Sequence, residues 1–123
     1  MKRKNILLKC KFSQNNWEYL QKEADRMETS VSAVLRQIIN IVFENKHYLQ
    51  DIINDAVNND CKTRNLTLTI DSQMKLCDII SERGDEFYER KKHNKYVSRI
   101  YHAEYVVSAY IKLIEADLIK KLR

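Results

Sequence analysis

A chain of 123 residues with a net charge of +5 is long enough for one domain, or for two small units that share a core. Proline is absent and glycine occurs once, at Gly84, which excludes a turn-rich fold and points to a chain dominated by helices. No apolar run approaches a membrane span, and the basic start Met1-Lys2-Arg3-Lys4-Asn5 leads into no stretch long enough for a signal peptide. A cytoplasmic protein without a membrane partner is expected.

The charge is unevenly placed. Lys2, Arg3, Lys4, Lys9 and Lys11 lie within residues 1–12 with no acid among them, while the other 17 basic residues are matched by all 17 acidic ones. A basic arm beside a polar strand face suits phosphate. Cys10, Cys61 and Cys77 form no Cys-x-x-Cys pair, and His47, His93 and His102 are scattered. Neither a disulfide framework nor a metal site is expected, and no sequence feature asks for a cofactor. Glu89, His93 and Tyr96 sit in a charged segment and match no nucleophile–base arrangement, so no catalytic residue and no enzyme activity are expected.

Taken in chain order, Leu7-Leu8-Lys9-Cys10-Lys11-Phe12 alternates apolar with hydrogen-bonding residues and predicts a strand with one buried face. Ser13 caps a helix running to about Met27, with Trp17, Leu20, Ala24 and Met27 as its apolar stripe. A break at Glu28-Thr29 is followed by a second cap, Ser30. The next helix carries Val31, Val34, Leu35, Ile38, Ile39, Ile41, Val42 and Phe43. Being apolar nearly all round, it belongs at the centre of a dimer-like core. Residues 44–58 keep helical periodicity, either as a continuation of that helix or as a separate linker helix, and Asn58-Asn59-Asp60 ends it.

A second alternating strand follows at Asn65-Leu66-Thr67-Leu68-Thr69-Ile70, with Asp71 as the expected cap of a helix whose stripe is Met74, Cys77 and Ile80, flanked by Leu76 and Ile79. Gly84 ends or interrupts it, and residues 85–97 form a charged insertion. Ser98 caps a last helix that runs through Leu113, Ile114, Leu118 and Ile119 to the basic end. Ser30 to Phe43 aligns without gaps on Ser98 to Ile111. The chain divides into a first unit at 1–43, a helical linker at 44–64 and a second unit at 65–123. Each unit exposes too much apolar surface to fold alone, so the two strands are expected to pair antiparallel within one chain.

Strand, helix, sharp break, Ser-capped apolar helix is an order that resembles the ribbon-helix-helix family of DNA-binding proteins, over residues 6–43 and again over 65–114. Two copies in one chain are similar to the tandem form found in some relaxosome accessory proteins of conjugative plasmids. The resemblance implies a mainly α fold with a small antiparallel β-ribbon, two strands and four or five helices in one shared core. It implies double-stranded DNA as partner, with the ribbon in the major groove. By position, Leu7, Lys9 and Lys11 would face the bases from the first strand and Asn65, Thr67 and Thr69 from the second. Lysine suits guanine, asparagine suits adenine, and threonine suits the thymine methyl.

The resemblance places phosphates at the N-termini of the Ser-capped helices, on Ser30, Val31 and Ser32 and on Ser98 and Arg99; the charge of the arm adds Lys2, Arg3 and Lys4 as further phosphate contacts. The functional expectation is a transfer-origin accessory factor, acting as a monomeric pseudo-dimer or a higher assembly on DNA, with a relaxase or coupling protein as further partner. The alternatives are an autoregulatory or partition repressor, and an antitoxin-like module that binds protein through its amphipathic helices.

Overall fold

The alternating segments do form strands, and they pair with each other. A computed structural model describes residues 5–51, 61–81 and 101–121. The element order is β1 (Asn5–Phe12), α1 (Gln14–Arg26), α2 (Val31–Glu44), a 3-10 helix (Lys46–Asp51), β2 (Lys62–Thr69), α3 (Ile70–Ser81) and α4 (His102–Glu115). Among the described residues the protein is therefore mainly helical, with one two-stranded antiparallel sheet. Pairing runs from Asn5 opposite Thr69 to Phe12 opposite Lys62.

A two-stranded ribbon is marginal in water unless its apolar face is covered. Here Cys10, Phe12, Leu66 and Leu68 are buried on that face. α4 packs against β1 and α2 against β2, while α2 also touches α1, α3 and α4. The all-round apolar character of α2 matches this central position: Val34, Leu35, Ile38, Ile39 and Val42 are all fully buried. The alignment of α2 with the last helix is kept in burial. Val34, Leu35, Ile38, Ile39 and Val42 correspond to His102, Ala103, Val106, Val107 and Tyr110, and every one of these is buried.

Helix ends are set by local chemistry. The Ser13 hydroxyl accepts the Asn16 N–H at 3.3 Å, and Ser30 accepts the Ala33 N–H at 3.1 Å. α1 closes with Thr29 N–H on the Ala24 carbonyl at 2.9 Å and Glu28 N–H on Asp25 at 3.2 Å, with Glu28 at φ 55. That is a Schellman closure with a non-glycine residue in the left-handed region. α4 ends in the same way: Leu118 N–H reaches Leu113 and Asp117 N–H reaches Ile114, both at 3.0 Å, with Asp117 at φ 58. The last helix therefore stops at Glu115, short of the expected run through Leu118 and Ile119. Both of those residues fold back instead, partly buried against the core.

Further expectations are corrected. β2 begins at Lys62 rather than Asn65, and α3 begins at Ile70, so Thr69 takes the capping place expected of Asp71. The buried stripe of α3 is Ser72, Leu76 and Ile79; Met74 is 64% exposed, and Cys77 and Ile80 are half-buried. Glu23, which lies off the apolar stripe of α1, is buried all the same. Of the two readings of residues 44–58, the described part shows a separate helix: α2 ends at Glu44, and a 3-10 helix over Lys46–Asp51 seats Leu49 in the core; the rest of the segment lies outside the described residues. No helix among the described residues is long and apolar enough to cross a membrane.

Candidate nucleic-acid interface

The face of the ribbon opposite the core is polar and open. Its cross-strand pairs are Leu7 with Thr67, Lys9 with Asn65, and Lys11 with Thr63. Leu7, Lys9, Thr63, Asn65 and Thr67 are exposed, and Lys11 is half-buried with its ammonium 5.9 Å from the centre of the Tyr101 ring. Six side chains from two strands thus share one surface, supported from behind by the apolar core.

Thr69 does not belong to that surface. It is 7% exposed, its hydroxyl accepts the Ser72 N–H at 3.1 Å, and it bonds the Ser72 hydroxyl at 3.1 Å. The strand ends there and the backbone turns into α3, so the hydroxyl is drawn inward to cap the helix. Thr63 occupies the place on the face that the alternation had assigned to Thr69. Counting from the caps makes the reason plain: Ser13 and Thr69 are as far apart in the chain as Lys9 and Asn65, or Leu7 and Thr63. The correct equivalence differs from the one read off the sequence by two residues. One full pleat preserves inside and outside, which is why Asn65 and Thr67 keep their place.

Arg64 interrupts the apolar positions, facing Cys10 across the ribbon, and so hides the first stretch of the alternation, from Lys62 to Arg64. The parity of Thr63 with Asn65 and Thr67 was the available signal, as was Ser72 three residues after Thr69, a spacing typical of a capped first turn.

The first turn of α2 lies at the ribbon's flank. Ser32 accepts the Thr67 N–H through its hydroxyl at 3.1 Å, and Arg36 donates to the Thr67 carbonyl at 2.9 Å. Both groups of Thr67 that β1 does not use are thereby satisfied, which blunts the open strand edge. Ser32, expected at a phosphate, is engaged with the strand; Ser30 is exposed and Val31 half-buried beside it. Lys2, Arg3, Lys4, Ser98 and Arg99, like the Glu89, His93 and Tyr96 set, lie outside the described residues.

α1 is oriented by a buried polar network. Glu104 of α4 is 2% exposed and accepts the Ser13 N–H at 3.1 Å and the Asn16 amide at 2.9 Å. The same amide donates to the Ser108 hydroxyl at 2.9 Å. A carboxylate buried this deeply is tolerable only when its oxygens are hydrogen-bonded. Farther along α1, the buried Glu23 takes Arg26 in a forked pair, Nε–Oε2 2.7 Å and Nη2–Oε1 3.2 Å, with Lys121 at 3.7 Å. The Arg26 hydrogen bond holds the Glu23 carboxyl below its ordinary range. Burial pushes the Cys10 thiol up to about 12, so it behaves as a small core residue rather than a nucleophile.

Comparison of the chain with family models, curated proteins and solved structures returned no match.

Proposed function

We propose that this protein is a sequence-specific, non-enzymatic binder of double-stranded DNA, built as a tandem ribbon-helix-helix and working as a single-chain pseudo-dimer. The observation that supports it most is the open ribbon face, on which Leu7, Lys9 and Lys11 stand across from Thr67, Asn65 and Thr63. A two-stranded ribbon fits the major groove. These residue types match what base edges offer: donors for guanine O6 and N7, an amide for adenine, and methyls for thymine. Within this reading a plasmid transfer-origin accessory role comes first, and an autoregulatory or partition repressor second. The exposed Ile70 and Met74 on α3 favour a protein partner alongside DNA, which a relaxase or coupling protein would satisfy and an antitoxin-like module would share.

The test is a binding-site selection from random duplex DNA, followed by affinity measurements over a range of salt. Lys9→Ala and Asn65→Ala should each lose about 1–3 kcal/mol on the selected site and much less on mixed sequence. Failure to bind any duplex at low salt, or equal losses on selected and mixed DNA, would remove the proposal.

A further inference from the structure

The end of the ribbon nearest α1 carries Lys9, Lys11, Lys62 and Arg64, whereas the strand residues at the far end, Asn5 to Leu7 and Leu66 to Thr69, are uncharged. Arg64 is the unusual member. It shares its side of β2 with the buried Leu66 and Leu68 and faces the buried Cys10, a position that alternation reserves for an apolar side chain. Its guanidinium carbon lies 4.6 Å from the centre of the Trp17 ring on α1. Its Nε is buried without a hydrogen-bond partner, and no carboxylate among the described residues pairs with it, although the residue is only half-buried.

An arginine whose stem crosses an apolar face keeps its head toward water. Stacking on an indole orders the head without consuming its donors, and a guanidinium so ordered, with no acid beside it, is suited to an oxyanion from outside the protein. The cations around it make that oxyanion part of a polyanion.

We propose that Arg64, ordered over Trp17, binds a backbone phosphate of duplex DNA at this one end of the ribbon. The inference rests on the DNA-binding reading above. Counting from the caps, Leu8 and Gln73 stand where a second such pair would be, and neither can reproduce it. The contact is therefore single, and it gives the bound protein a direction on its site. Phosphate contacts of this kind fix register and orientation rather than sequence.

Mixed-sequence duplex DNA is the appropriate probe, because a phosphate contact does not depend on the base sequence. The log of affinity falls with the log of salt by about 0.9 for each phosphate neutralised. Arg64→Gln should flatten that slope by about 0.9, and Arg64→Lys, which keeps a charge but not the stacked fork, should keep the slope while weakening binding severalfold. Trp17→Leu should weaken binding with little change in slope. Thermal melting of each free variant separates these effects from loss of fold. An unchanged slope in Arg64→Gln, with Lys2→Gln still flattening it, overturns the Arg64 contact and leaves the DNA reading standing. If the unaltered protein binds no duplex, both fall together.

Discussion

At the start of α1 the capping hydroxyl of Ser13 is backed by Glu104 from the far end of the chain. At the start of α3 the capping hydroxyl of Thr69 is backed by its own helix, through Ser72. The two junctions occupy matching places beside the ribbon, yet one is held by a buried carboxylate network and the other by contacts nearer the surface. There α2 supplies Ser32 and Arg36 to Thr67, and Asn40 to Lys75 at 3.0 Å. In both cases the helix that grips a strand–helix junction comes from the other half of the chain. α4 holds β1 and α1, and α2 holds β2 and α3. This exchange explains why neither half can complete its own polar or apolar surface. The difference in burial sets how much each grip contributes, because an orphaned donor costs most where water cannot reach it.

The largest expected effect tests that asymmetry directly. Glu104→Ala strips the buried Ser13 N–H and Asn16 amide of their side-chain carboxyl acceptor and should cost about 2–4 kcal/mol. Arg36→Ala, at the matching exposed grip, should cost about 0.5–1.5 kcal/mol. Urea unfolding of both variants measures the pair, and equal losses would mean that the two junctions are not held differently.

Next in size is the exchange of roles between two threonines. Thr69→Ala removes a cap and should lower stability by about 1 kcal/mol without altering discrimination between selected and mixed DNA. Thr63→Ala should leave stability within about 0.5 kcal/mol and relax discrimination. The reverse pattern would restore Thr69 to the ribbon face.

A pH-dependent difference separates Glu23, the buried acid of α1, from the rest. The folded Glu23 carboxyl is depressed by its Arg26 hydrogen bond. Its contribution is therefore present above the carboxylate's unfolded value and is lost as pH falls through the folded one. Glu23→Gln should flatten the acid limb of a melting-temperature profile. An acid limb identical to that of the unaltered protein would show that the Glu23–Arg26 fork contributes nothing.

The smallest effect concerns two helix ends that close alike. Glu28 and Asp117 sit at φ 55 and φ 58, where a Cβ is disfavoured. Glu28→Gly and Asp117→Gly should each raise stability by a few tenths of a kcal/mol, the relief being partly offset by the greater freedom of glycine in the unfolded chain. A fall in melting temperature for either variant would show that its side chain does more than tolerate the turn.

Much of this was legible in one dimension, and what was missed shares a cause. Leu8, Cys10 and Phe12 alternate with Lys9 and Lys11, so the inner face of β1 could be read without a partner. The burial of α2 followed from apolar residues on almost every side. The start of β2 is hidden because Arg64 looks like the end of an apolar pattern, whereas its inward position is met by the indole of Trp17 at 4.6 Å. The burial of Glu23 and Glu104 leaves no mark in the chain: Arg26 is local to Glu23, but Lys121, and Ser13 and Asn16 for Glu104, lie far away in sequence.

Local chemistry, then, determined the two strands, the Ser13 and Ser30 caps and the central helix, since periodicity and capping act over a few residues and leave their mark in the chain. The tertiary structure alone decided which six residues share the open face, that Thr69 turns inward, and where buried charge is admitted. Cross-strand register and the satisfaction of buried polar groups depend on atoms that meet only when distant segments pack, and no local pattern encodes which of them will meet.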